Sequence, residues 1–445
     1  MKEYELESYE IRLHTMSPGI IVLNRKFIPH SPWGPFIYGV VPYAFKVAEI
    51  LSKDAKFCGF ILYNRQESNT EPQLLESSVF DMQAIEVVFN FRMDCESLQS
   101  IFEFAAMNLF KTWQRTAITN GDIKKLLPII YYQTNVLLPF CPTNLPIIVT
   151  HHAPFAEHVC SVLGEELACK AFGNGTGKLQ HLKIKQAMGI HHMKAHSNIS
   201  AIELSFIQSR YLMHKGLPKE RIYHLFPPLE IPQDSKSNIV DIIPEEIMNF
   251  LDSSGNSLII CSAVARLDEF KNIELLIQAT THLLKNGYEI RILILGGISG
   301  TDQEREFLKS TIPPHLQKYF LFHPKIKRNF LLSLFAFLSQ KGLFVCPSRY
   351  ETCGFTPLES ISQGLCTVVA DSEDSVEVAS IVPKNYRFQP SIDGLCTCIC
   401  DYYTNRHKLA SHYLSTSIAE KVTNKRFETD FKEFWNRLSL SSFSI

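Results

Sequence analysis

Glu351 and Glu359 have seven residues between them, among them Gly354, Phe355 and Thr356. Two carboxylates at that spacing could grip hydroxyl groups, and backbone N–H groups at a loop-to-helix junction could hold an anion. Arg266 and Lys271 form a second pair, of cations, with Leu267 to Phe270 between them. Two fixed cations just ahead of a helix start suit a diphosphate. His151 and His152 are adjacent in Thr150-His151-His152. Neighbours on a strand point to opposite faces, so both cannot easily ligate one ion, and no D-x-D or H-E-x-x-H accompanies them. No metal is expected.

Such residues need elements to hold them. Residues 343–346 are an apolar run bounded by Gly342 and Pro347, which suits a strand buried on both faces. Thr356-Pro357-Leu358-Glu359 then reads as a helix start: threonine as N-cap, proline first in the helix, glutamate completing a capping box. That helix should run to about Gln363 and stop at Gly364, before a second strand at 366–370. The loop between strand and helix lies at the carboxyl end of a parallel sheet, where open α/β folds bind ligands. Residues 258–263 are another buried strand, and Arg266 and Lys271 sit on its following loop, with Asn272 able to cap the next helix. Residues 291–295 predict a strand ending in Gly296-Gly297, small enough to let backbone approach a ligand. A strand at 320–323 leads into Pro324-Lys325-Ile326, 330–338 is a buried helix, 386–388 a short strand, and about 405–438 helical.

The first half repeats the alternation. A strand at 19–23 leads through a loop carrying Gly34 and Gly39 into a helix over 41–51. Strands follow at 57–63, 84–91, 128–132 and 146–150, with a helix over 94–113 between the second and third of these. Residues 178–194 form a helix carrying four lysines and three histidines. A basic helix could meet an anionic membrane or acceptor, though a solvated face is the plainer reading, and no membrane contact is predicted. Strand, helix and strand then occupy 198–225, and Pro227-Pro228 with 232–244 read as connecting polypeptide.

Composition sets the frame. A chain of 445 residues is too long for one ordinary core, so two domains are expected. A net charge of −1 argues against nucleic-acid binding. The charged amino terminus shows no signal peptide, and twelve cysteines without one imply reduced thiols in the cytoplasm. Cys396, Cys398 and Cys400 alternate, which puts them on one face of a strand as small buried hydrophobes.

The wording Pro347-Ser348-Arg349-Tyr350-Glu351 followed by Gly354-Phe355-Thr356-Pro357-Leu358-Glu359 resembles the E-x7-E element of retaining glycosyltransferases of the GT-B fold. Glycosyltransferase family 4 is the nearest match, with glycogen and starch synthases more distant. Arg266-Leu267 through Lys271-Asn272 resembles the family's R-L-x-x-x-K-N, and Thr150-His151-His152 its T-x-H.

The resemblance implies an α/β protein of two doubly wound Rossmann-like domains facing a cleft. The acceptor domain would span 1–231, a linker 232–256, the nucleotide-sugar domain 257–403, and the helices of 404–445 would cross back to the first domain. By the same resemblance, Arg266 and Lys271 hold the donor pyrophosphate, Glu351 grips sugar hydroxyls and Glu359 binds the ribose. His152 faces the donor sugar, and the amides of Gly354, Phe355 and Thr356 meet the leaving phosphate. Gly34 would approach the donor phosphates, Gly296 and Gly297 the nucleotide, and His323, Pro324 and Lys325 the nucleobase.

The implied reaction is transfer of a sugar, in the commonest case a hexose from a UDP-sugar, with the anomeric configuration retained and with neither metal nor tightly bound cofactor. An α-glucan synthase, a nucleotide-sugar 2-epimerase and a non-catalytic nucleotide-sugar-binding protein are the competing readings. The acceptor is left open among small molecules, lipids, glycans and proteins, as are the donor base and sugar and the oligomeric state.

Overall fold

The computed structural model describes residues 16–28, 39–117, 126–173, 175–229, 243–297, 302–405 and 422–441. The chain divides into two compact units, one of residues 1–156, 180–228 and 425–445, the other of 157–179 and 229–424.

Unit 1 is built on eight strands: β1 (Gly19–Asn24), β2 (Phe57–Arg65), β3 (Gln73–Val79), β4 (Met82–Phe89), β5 (Ile129–Tyr132), β6 (Ile147–Val149), β7 (Ile199–Glu203) and β8 (Ile222–His224). Their spatial order is β3-β4-β2-β1-β5-β6-β7-β8. All pairs are parallel except β3 with β4. The central strands β1, β5 and β6 are buried almost throughout, as unbroken apolar runs in a sheet covered on both faces must be. Strand β3 was not expected. Its sequence QLLESSV is mostly exposed and lies on the sheet edge, where polar residues protect unpaired backbone and erase the apolar signal.

The early helices are α1 (Val40–Lys53), α2 (Cys95–Ala117), α3 (Ala156–Leu163), α4 (Glu165–Ala171), α5 (Thr176–Ala195) and α6 (Phe206–His214). Helix α2 packs Leu98, Phe102, Ala105, Ala106 and Leu109 into the core at helical spacing. From Glu157 to Leu179 the chain belongs to unit 2 before returning. Gly34 lies outside the described residues, as does 230–242, most of the polar connection read after Pro228.

Unit 2 holds six strands, β9 (Leu258–Ala263), β10 (Ile290–Leu295), β11 (Phe320–His323), β12 (Gly342–Cys346), β13 (Cys366–Ala370) and β14 (Arg387–Phe388). All are parallel, in the order β11-β10-β9-β12-β13-β14. That is the Rossmann order, and it reverses between β9 and β12. Its helices are α7 (Glu245–Asp252), α8 (Ile273–Lys285), α9 (Asp302–Ser310), α10 (Arg328–Leu338), α11 (Phe355–Ser362), α12 (Glu377–Ile381) and α13 (Ile392–Asn405). Helix α7 falls in a stretch read from sequence as linker. The strand expected for Cys396, Cys398 and Cys400 is corrected: all three lie on α13, where only Cys396 is buried and Leu395, Ile399 and Tyr402 make the buried stripe. Alternation of three cysteines was too short a signal against that i, i+4, i+7 pattern.

The last helix, α14 (Asn424–Ser441), belongs from residue 425 to unit 1. Phe427, Phe431 and Trp435 on it are buried, and the Trp435 indole N–H donates to the Ser17 carbonyl at 2.8 Å. Burying each such side chain stabilises by ~1.5–3 kcal/mol. Among the described residues no helix is long and apolar enough to cross a membrane.

Candidate functional site

The loops that follow β9 and β12 carry the chemistry of unit 2, and these are the strands flanking its reversal of order. Three ties make them one structure. The Lys271 ammonium is ion-paired with the Glu351 carboxylate. The Arg349 guanidinium donates at 2.9 Å both to the Glu269 carbonyl and to its carboxylate. The backbone N–H of Arg349 donates to the Phe270 carbonyl at 2.8 Å. On its other side the Glu351 backbone is bridged to the turn before α12, its N–H donating to Ser375 O at 2.7 Å and its carbonyl accepting from Glu377 at 2.9 Å. Glu351 is therefore held by backbone and side chain together.

The side chains of Lys271 and Glu351 are each 17% exposed. Burial acts to lower the Lys271 ammonium, but the charge and hydrogen bond of Glu351 outweigh it and leave the pKa above the ordinary lysine value. Asp268 shares the pocket. Burial raises its carboxyl, with Arg266 and Lys271 opposing and Glu351 adding to the rise. Arg266 contrasts with Lys271: its side chain is 56% exposed and meets Asp268 at 3.0 Å. One cation is thus built into the loops while the other stands at their surface.

Helix α11 starts two residues earlier than the capping-box reading required. Gly354 is its N-cap, with φ +75, and no side chain caps it. Thr356 and Glu359 are both helical, so the expected box does not form. A Cβ on Gly354 would lie 2.9 Å from Val378 Cβ, so the left-handed turn and the close approach both demand glycine. The first intrahelical bond runs from Leu358 N to Gly354 O at 3.1 Å, which leaves the first-turn N–H groups of Phe355 and Thr356 without helical partners. Pro357 lies third in the helix, where it has no N–H to waste. Asn272 likewise occupies the N-cap of α8 in a left-handed conformation, φ 50, and its side chain does not cap.

Glu359 is 7% exposed and accepts from Arg328, the first residue of α10, at 2.6 Å. Burial raises its carboxyl above the ordinary range, opposed by the charges of Arg328 and Lys325. The ends of β10 and β11 are knitted together: Gly296 N donates to His323 O at 3.0 Å, and Lys325 N to Gly297 O at 3.2 Å. Gly296 is small for a local reason, since a Cβ there would lie 2.7 Å from Val264 Cγ2. His323 Nδ1 meets the Pro324 carbonyl at 2.8 Å. The 157–179 excursion fastens onto the same loops, with His158 Nδ1 2.7 Å from the Tyr350 hydroxyl and Phe172 edge-on to Phe270 at 5.2 Å. Arg328, Arg349, Tyr350 and His158 were missed in the sequence. Arg349 and Tyr350 lie inside the signature wording, while Arg328 and His158 gave no signal, since only the fold brings them near.

His152, in unit 1, is half-buried at the end of β6. Its Nε2 lies 2.8 Å from Gln133 Oε1, and Tyr43 packs edge-on at 5.1 Å. Burial, with a contribution from the neighbouring His151, pushes the imidazole down to about 3. His151 points elsewhere, its Nδ1 paired with buried Glu203. The two histidines have separate partners, and among the described residues no group of three or more His, Cys, Asp or Glu is placed to hold a metal ion.

A six-stranded sheet in Rossmann order, with paired loops at its reversal and a second parallel α/β sheet in the same chain, defines the GT-B fold. Residues 245–380 match the model of the family described as Glycosyl transferases group 1. Sucrose-phosphate synthase from Thermosynechococcus elongatus superposes with TM-score 0.64 at 14% identity, covering 95% of this chain and 100% of that one. An α,α-trehalose-phosphate synthase (UDP-forming) from Burkholderia vietnamiensis gives 0.62 at 11%, covering 96% and 100%. Anabaena HepE, solved in complex with UDP and glucose, gives 0.59 at 13%, covering 94% and 99%. No curated protein matches by sequence. The chain carries a glycosyltransferase domain, and the protein is a transferase enzyme.

Proposed function

We propose that the protein is a retaining, metal-independent glycosyltransferase that moves a hexose from a UDP-sugar to an acceptor hydroxyl. The junction of Lys271 with Glu351 at the reversal of the unit 2 sheet is the observation that carries this reading. As the bond from the anomeric carbon to the diphosphate oxygen breaks, negative charge collects on the departing phosphate. Arg266, Lys271 and the first-turn amides of Phe355 and Thr356 are the groups suited to receive it. Glu351 orients sugar hydroxyls, and Glu359, hydrogen-bonded by Arg328, takes the ribose. The acceptor oxygen adds to the face the phosphate leaves, and its proton passes to the departing phosphate oxygen. No protein nucleophile is needed. Two cations neutralise the diphosphate without a metal. His152 occupies the T-x-H place, and Gly296, Gly297, His323, Pro324 and Lys325 form the base-binding edge. Twelve unbridged cysteines fit a reducing cytoplasmic setting.

The test is to incubate the protein with UDP-hexoses and follow both UDP release and the anomeric configuration of the product by NMR. UDP with a product of retained configuration is expected. An inverted product removes the retaining mechanism, and an isomerised free sugar without an acceptor makes the protein an epimerase.

A further inference from the structure

Gln133 is the first residue after β5, and β5 lies beside β1 where the strand order of unit 1 reverses. Its backbone N–H donates to Val22 O at 3.1 Å, and the residue is 6% exposed. Its side-chain Oε1 meets His152 Nε2 at 2.8 Å. A carbonyl oxygen can only accept, so Nε2 carries the ring proton and Nδ1 of the neutral imidazole is an acceptor. Tyr43 holds the ring from another side, and its own hydroxyl is fixed by Tyr131 at 2.6 Å, which in turn meets Thr150 Oγ1 at 2.5 Å. The amide Nε2 of Gln133 is buried with no hydrogen-bond partner. Leaving a buried donor unsatisfied costs ~1–3 kcal/mol.

We propose that Gln133 is a positioning residue, locking His152 in the tautomer protonated at Nε2 so that Nδ1 accepts from a hydroxyl of the sugar substrate. This deepens the reading of His152 as the substrate-facing histidine and rests on it. Glutamine supplies the acceptor without a charge, so the ring stays neutral. The Tyr43 ring lies edge-on to it, and the neighbouring His151 is itself paired with Glu203.

Histidine-labelled protein, with His152→Asn to assign the signal, gives the tautomer directly by NMR. Wild type should show Nε2–H. Gln133→Glu should keep that tautomer and raise the pKa of the ring by about 1–3 pH units through the new charge, a shift that a merely structural role would not produce. Gln133→Leu, checked for folding by circular dichroism, should mix the tautomers. Its turnover should fall roughly tenfold to a hundredfold, with UDP affinity unchanged. An Nδ1–H tautomer in wild type, or one indifferent to both substitutions, overturns the proposal. Tautomer changes without loss of turnover would leave the lock intact and remove His152 from the transfer chemistry, while UDP binding reports separately on unit 2.

Discussion

Lys271 and Glu351 form one ion pair across a chain separation of 80 residues, each side chain 17% exposed. Neither loop alone provides this pocket: β9 delivers the lysine and β12 the glutamate, and the sheet order makes those strands neighbours. In unliganded protein the pair stores each charge against the other.

Lys271→Ala leaves the Glu351 carboxylate largely buried and unpaired, and should destabilise the protein by roughly 3 kcal/mol. Turnover should fall ~10²–10³-fold through loss of a preorganised cation. Urea denaturation of both single variants and of Lys271→Ala/Glu351→Gln measures the coupling. The double variant should recover part of the stability and none of the activity.

Arg266→Ala should behave oppositely. An exposed side chain whose charge meets only a neighbouring loop carboxylate contributes within about 0.5 kcal/mol to stability. Activity should still fall by the factor expected for Lys271. A thermal melt and a UDP-release assay on one preparation separate the two effects.

Gly354→Ala tests the start of α11. A Cβ at φ +75, placed 2.9 Å from Val378 Cβ, should cost ~1–3 kcal/mol and tilt the free amides of Phe355 and Thr356. Donor affinity should weaken along with stability, read from denaturation and from UDP titration.

These elements differ in how far the sequence disclosed them. The strands that bear the site were legible because both faces of each are buried, so Leu258–Ala263 and Gly342–Cys346 are nearly pure apolar runs. Arg266, Lys271 and Glu351 could be singled out as candidates because each lies on the loop that follows such a run. The start of α11 was misread, since Thr356-Pro357-Leu358-Glu359 satisfies the capping-box pattern while Gly354, pressed on Val378, decides the geometry. Arg328 and Gln133 were invisible for a different reason: their partners Glu359 and His152 lie 31 and 19 residues away, and only sheet topology brings them together.

Acid should destabilise the fold through its buried histidines. Burial pushes His152 down to about 3 and His224 down to about 4, against an ordinary value of 6.5. Folded imidazoles held neutral bind fewer protons than unfolded ones. Their stabilisation is therefore complete above pH 6.5 and is lost as pH falls toward the folded values, at up to ~1.4 kcal/mol per pH unit for each. Thermal melts from pH 7.5 to 5 should show the slope, and His224→Asn should reduce it by the share of that one residue.

Donor recognition by unit 2 is the central claim, and differential binding across UDP-, GDP- and ADP-sugars tests it most directly. With wild type and Arg266→Ala melted side by side, one nucleotide sugar at a hundredfold excess over its dissociation constant should stabilise the wild type by ~2.7 kcal/mol. Arg266→Ala should melt at the unliganded wild-type temperature and show no shift with that ligand. If no nucleotide sugar stabilises the wild type, or the variant responds equally, the loops of Arg266, Lys271 and Glu351 do not form a diphosphate-sugar site.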